Sequence, residues 1–282
     1  METGAFTKAG EKNFISQSAV SQRLRVIERK YGQKFLERSK GKTKVVPTAA
    51  GRVLYDSSKE LLLQMDLLDA KMKSLSDEII GTVRVSTVYS LGMHTLPDKL
   101  KPFLAQYPNV KVHLEYSHTS RVYRDVLSGV VDVGVVAVPA EKPGVEILPF
   151  SSERMVLICS PNHKLASLSH AELCDLEGEN FIAFDNEIPT RMLIDEHLNQ
   201  TGVHVNISMA YDNIETLKNL VEIGRGVSLV PEGTVSDEVS RGSLVSVPLG
   251  ESSFHRISGI ILKKAQSRPA AVRAFVEAIS PG

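Results

Sequence analysis

Cysteine is nearly absent. Only Cys159 and Cys174 occur in 282 residues, and no paired His or Cys stands at metal-ligand spacing. That excludes a disulfide framework and a structural zinc site, and both thiols read as reduced cysteines of a cytoplasmic protein. Long apolar runs are missing too, so no stretch of about 18 apolar residues is available to span a bilayer. The opening METGAFTKAGEKNF is polar and lacks the apolar core of an export signal. There is no low-complexity tract, and no GxSxG, HExxH or P-loop lysine pattern. GRGVSL holds Gly224 and Gly226 but has no third glycine and no following helix, so it is a weak nucleotide loop. The histidines are scattered, and His94 reads as a polar loop residue rather than a base. No catalytic residue, metal ligand or cofactor is expected.

What is present is a chain of normal composition, 42% hydrophobic and 23% charged, long enough for two or three domains. Its net charge of zero hides an asymmetry. Up to Val46 there are eleven basic residues against four acidic ones, so the rest of the chain carries a net minus seven. A basic head on an acidic body points to a polyanionic partner for the head, a plain solvated face being the alternative.

Three regions separate along the chain. The first reads as a short helix (Thr7 to Phe14), a turn, a helix (Ser18 to Tyr31) capped by Gly32, and an extended hairpin (Phe35 to Val46). The second is one long helix with Thr48 as N-cap. Along it Leu54, Ser58, Leu61, Met65, Leu68, Met72, Leu75 and Ile79 follow in alternating steps of four and three, a heptad seam suited to a partner helix. From Gly81, strands such as TVRVSTV, VKVHLEYS and VVDVGVVAV alternate with amphipathic helices, and the alternation restarts after RMVLICS. Two such α/β units in succession predict a mostly parallel sheet and a two-lobed body.

A short helix, a turn and a helix rich in Ser, Gln and Arg is the geometry that sets a recognition helix in the DNA major groove. Gln17, Ser18, Ser21, Gln22 and Arg25 lie near its N-terminal end and suit base edges and phosphates. Ala19, Val20, Leu24 and Ile27 form the stripe expected to pack inward, and Arg38, Lys40, Lys42 and Lys44 would follow as a basic wing along the backbone.

Here the text FTKAGEKNFISQSAVSQRLRVIERKYGQKFLER, with VVPTAAG after it, closely resembles the winged helix-turn-helix of LysR-type transcriptional regulators. GTVRVSTVYSLGMHTLP, DVGVVAVP and YDNIETLKNLVEIGRGVSLVPE resemble the effector-binding domain of that family, which is built like a periplasmic solute-binding protein. The resemblance covers nearly the whole chain. It implies an α/β protein with a winged helix-turn-helix head (1–47), a linker and dimerisation helix (48–80) and a two-lobed effector domain (81–282). Lobe I would take 81–160 and 254–282, and lobe II 161–253. The implied partners are operator DNA, a small effector, a second copy through residues 54–79, a pairing of dimers into tetramers, and RNA polymerase. The family's first helix would precede Met1, and Asn13 stands where the family carries an apolar residue. A head truncated by about one helix, or a misassigned start, is therefore expected, with weak operator binding.

In a two-lobed α/β fold, ligands sit where strand C-termini meet helix N-termini, whose free N–H groups favour anions. Ser90, Thr119 and Thr190 each lie at such an end, although each alone could be a plain N-cap. By the resemblance, Ser90 and Thr119 match first-lobe effector contacts and Ile188, Pro189 and Thr190 the opposing wall. Arg121 and Arg191 lie near enough in sequence to meet a carboxylate or phosphate. The expected function is a ligand-responsive regulator sensing a small anion. The rival is a solute-binding or enzyme-like two-lobed protein without DNA binding, which would need an export signal or an acid–base constellation.

Overall fold

The computed structural model describes residues 6–12, 15–38, 45–73, 78–250, 254–264 and 267–281. The chain divides into two compact units, Met1–Leu68 and Asp69–Gly282.

The first unit opens with α1 (Phe6–Lys12) and α2 (Gln17–Tyr31). Ser16 caps α2 by accepting from the Ala19 N–H at 3.2 Å. Gly32 ends it with φ +64°, a left-handed conformation that lets its N–H reach Glu28 O. The strands β1 (Leu36–Arg38) and β2 (Val45–Pro47) pair antiparallel. Glu28 ties this wing to α2, accepting from the Phe35 N–H at 3.0 Å and from Lys34 Nζ at 3.1 Å. Burial disfavours the Glu28 carboxylate, but the Phe35 N–H and the Lys34 ammonium outweigh it and hold its pKa below the usual range. Phe35 is buried and meets Tyr31 edge to face. The apolar stripe of α2 is less covered than expected. Ala19, Val20 and Leu24 are half-buried, and Ile27 is 38% exposed rather than packed inward.

Thr48 caps the long helix α3 (Ala49–Lys73), its Oγ1 accepting from the Gly51 N–H at 3.0 Å. Leu61, Met65 and Leu68 are all more than half exposed in the single chain. The described helix ends before the expected seam does. Leu75 lies outside the described residues, and Ile79, past the helix, packs half-buried against a core of the second unit.

In the second unit β3 (Gly81–Thr87), α4 (Leu96–Gln106), β4 (Val110–Tyr116), α5 (Thr119–Leu127) and β5 (Val133–Ala137) form the expected alternation, with β3 parallel to both β4 and β5. A five-residue π-helical turn, Leu91–Thr95, precedes α4. β6 (Val145–Cys159) is then a single strand of 15 residues. It is followed by β7 (Asn180–Phe184), α6 (Pro189–Gln200), β8 (Asn206–Tyr211), α7 (Ile214–Glu222), β9 (Ser228–Pro231) and α8 (Ser236–Arg241). β10 (Val245–Pro248), β11 (His255–Lys263) and α9 (Ala270–Ile279) complete the unit.

β6 and β11 join the lobes. Val145 through Arg154 pair antiparallel with β11, whereas Met155 through Cys159 pair with β9 and β10. Val83, Phe103, Phe150 and Phe275 build one core; Met155, Leu157, Phe181 and Phe254 belong to the other. Among the described residues no helix is long and apolar enough to cross a membrane.

Gly226, read in the sequence as part of a weak nucleotide loop, has a packing role. A Cβ there would collide with the Asn180 carbonyl, beside the bridge that joins Phe181 to Val227. Backbone cannot yield as a flexible side chain would, so Gly226→Ala is expected to destabilise the effector unit by about 1–3 kcal/mol. Urea unfolding of the full chain measures it; an unchanged midpoint would show that the loop is free to shift.

Candidate functional site

The two lobes enclose a cavity of about 380 Å³, at the low end of ligand pockets. Ser90, Thr119, Ile188, Pro189 and Thr190 all line it. The first lobe contributes the C-terminal ends of β3 and β4 and the N-terminus of α5. The second contributes the N-terminus of α6. Neither helix end is capped by a side chain, because the N-cap residues are His118 and Ile188. The first-turn N–H groups of two helices therefore lie at one cavity.

Arg256, which sequence reasoning missed, lies at the cavity and is only 1% exposed. Its Nε and Nη2 donate to Glu153 Oε2 at 3.0 and 2.8 Å. Its Nη1 turns the other way, donating to Ser90 Oγ at 3.1 Å and Thr190 Oγ1 at 3.5 Å. The Thr95 hydroxyl donates to Oε1 of Glu153 at 2.9 Å, and the Ser258 hydroxyl adds a third bond to Oε2 at 3.2 Å. Burial pushes the Arg256 pKa down, and Glu153 opposes that by charge and hydrogen bonding. Arg256 and Glu153 are direct cross-strand partners in β11 and β6, next to the points where both strands change lobes. Nothing in a single sequence pairs residues 103 positions apart, so the signal was an unexplained charge in each of two apolar strands.

The two other arginines separate. Arg121 lines the cavity and donates from Nε to Asp125 at 3.3 Å. Arg191 does not line it. It is 8% exposed, with Nε 2.8 Å from both Asp195 oxygens and Nη1 on the Phe184 carbonyl. Its place one turn into α6 aims it along the helix at residue i+4, which overturns the expectation that it meets a ligand. His94 joins the lobes, its Nε2 lying 3.0 Å from Glu215 Oε1. At the mouth, His118 is 3.9 Å from Asp212.

In the first unit Gln17, Ser18, Gln22 and Arg25 are exposed on α2 and Ser21 is half-buried. Ser18, Gln22 and Arg25, spaced four and three apart, share one helix face. Arg38 ends β1; Lys40, Lys42 and Lys44 lie outside the described residues.

Removing the cation of a buried pair leaves its carboxylate unmatched. Arg256→Ala is expected to destabilise the chain by about 3–5 kcal/mol, and the apolar double replacement Arg256→Met with Glu153→Leu to recover most of that. Denaturant melts decide it, and a stable single variant would mean that water reaches Glu153.

Comparison with known proteins agrees with this architecture. Residues 76–281 match the family model of the LysR substrate binding domain, and residues 1–52 that of the bacterial regulatory helix-turn-helix proteins of the lysR family. A probable RuBisCO transcriptional regulator of Cyanidioschyzon merolae is 29% identical over 259 residues, 90% of this chain and 85% of that protein. Full-length CbnR complexed with its target DNA superposes with a TM-score of 0.71 at 19% identity, over 99% of this chain and 94% of that one. The effector binding domain of QuiR in complex with shikimate gives 0.65 at 20% identity, over 71% and 96%. At those identities the two structures show the shared fold.

Proposed function

This chain belongs to the LysR family of transcriptional regulators, and we propose that its cleft senses a small anionic metabolite while α2 reads operator DNA. The observation that carries the cleft reading is the convergence of Ser90, Thr190 and the Arg256 Nη1 that bonds them both on one cavity between two uncapped helix N-termini. Hydroxyls, N–H groups and a buried guanidinium are donors, and a carboxylate or phosphate is the acceptor they suit. Thr119, Ile188 and Pro189 complete the walls. QuiR, similar in fold, was solved with shikimate, an acid.

For the head, the proposed contacts are Gln17, Ser18, Ser21, Gln22 and Arg25 on α2, with Arg38, Lys40 and Lys42 along the phosphates. Their support is the exposed face of α2 and the fold shared with DNA-bound CbnR. Two copies would pair through α3, whose Leu61, Met65 and Leu68 stand uncovered in the single chain. A two-fold dimer then calls for a partly palindromic operator. Dimers pairing into tetramers and contact with RNA polymerase are proposed from the family. The cytoplasm is the proposed location. Binding rather than catalysis is the proposed role, since the buried cation of the cleft, Arg256, is committed to Glu153.

An operator selected from random duplexes and measured by fluorescence anisotropy tests the head. Gln22→Ala and Arg25→Ala are each expected to weaken specific binding by about 1–3 kcal/mol, with affinity falling steeply with salt. Unchanged affinity in both variants would remove these residues from base readout.

A further inference from the structure

The cleft's charge balance says more about its ligand than its donors do. Arg256 is the buried cation at the cavity, and two of its three donor groups are spent on Glu153. The buried pair is therefore electrically neutral. It offers Nη1 and the hydroxyls of Ser90 and Thr190, but no net positive charge. The mouth leans the other way. Glu187 and Asp212 line it against Arg121, which shares the Asp125 carboxylate with Arg124, and His118 faces Asp212.

We propose that this cleft selects a hydroxylated monoanion, a small hydroxy acid with one carboxylate, and discriminates against di- and trianions. The inference rests on the anion-sensing reading above. One carboxylate can take Nη1, the two hydroxyls and the fields of the α5 and α6 N-termini. A second negative charge finds no unmatched buried cation and meets Glu187 and Asp212 on the way out, two carboxylates against the one Arg121. Hydroxyls on the same carbon skeleton fare differently, because they donate to those two carboxylates. The skeleton itself has an apolar wall in Tyr89 and Tyr116, whose ring centroids are 5.5 Å apart.

Isothermal titration of the full chain against matched pairs tests this: glycolate, glycerate and shikimate, each beside its phosphorylated counterpart, at fixed pH and salt. The unphosphorylated members that bind are expected to do so at least tenfold more tightly than their phosphorylated partners. Equal or tighter binding of the phosphorylated members would overturn the proposal while leaving the anion-sensing reading intact. If nothing binds, both fall. Size is separated from charge by Asp212→Asn and Glu187→Gln, exposed positions whose replacement leaves the folded cores untouched. The double variant is expected to narrow the gap several-fold; an unchanged gap would assign it to fit and overturn the charge argument.

Discussion

A guanidinium cannot be buried alone. Arg256 is almost entirely out of water, and it remains charged at any ordinary pH. The fold answers with Glu153 directly across the strand pair, and fills the remaining lone pairs of that carboxylate with Thr95 and Ser258. Much else follows from this need. The pair requires β6 and β11 in register beside the crossings between lobes, and it leaves one Arg256 nitrogen to face Ser90 and Thr190. The buried carboxylate and the cavity hydroxyls are thus met by opposite sides of one side chain.

Its position also bears on how the lobes are joined. Two strands connect them, and polar links add to that connection: Arg256 to Thr190, His94 to Glu215 and His118 to Asp212. Glu215 is itself held by Lys218, a lysine only 2% exposed that also donates to the Thr234 carbonyl and to Glu238. Burial disfavours the Glu238 carboxylate, yet Lys218 and Arg241 lower its pKa overall. Val138, at the end of β5, has φ +46°, a conformation unfavourable for a β-branched residue by about 1–3 kcal/mol. Its N–H is fixed to the carbonyl of Ile257, the neighbour of Arg256. The strain at Val138 and the buried charge of Arg256 thus lie side by side next to the crossing between lobes.

The elements that sequence reading found were those with strong local signals. The α2 helix, Gly32, Thr48 and the β-α-β-α-β run each follow from periodicity or from a residue suited to a helix end. The first half of β6 escaped because Pro149 interrupts its pattern. The strand tolerates it through a register shift opposite Ser258 and Gly259, so pairing skips a residue there. Arg191 was misread because closeness in sequence to Thr190 says nothing about direction. One residue on, its side chain runs back along α6 to Asp195. Glu153 and Arg256 were invisible because their partnership exists only across a register that no local pattern encodes.

The same limit bears on the hydroxyls at the helix ends. In sequence, Ser90, Thr119 and Thr190 were each an N-cap or a ligand contact, with no local means of choosing. Where this chain caps a helix with a side chain the bond is plain: Ser16 receives the Ala19 N–H, Thr48 that of Gly51, and Asn213, itself at the cavity, that of Glu215. At α5 and α6 the N-cap residues are His118 and Ile188, and neither caps. Ser90 likewise makes no cap and instead accepts from Arg256. None of the three hydroxyls is the side-chain cap of its helix. Two helix N-termini without side-chain caps thus meet at one cavity with the Ser90 and Thr190 hydroxyls, the arrangement on which the anion reading rests.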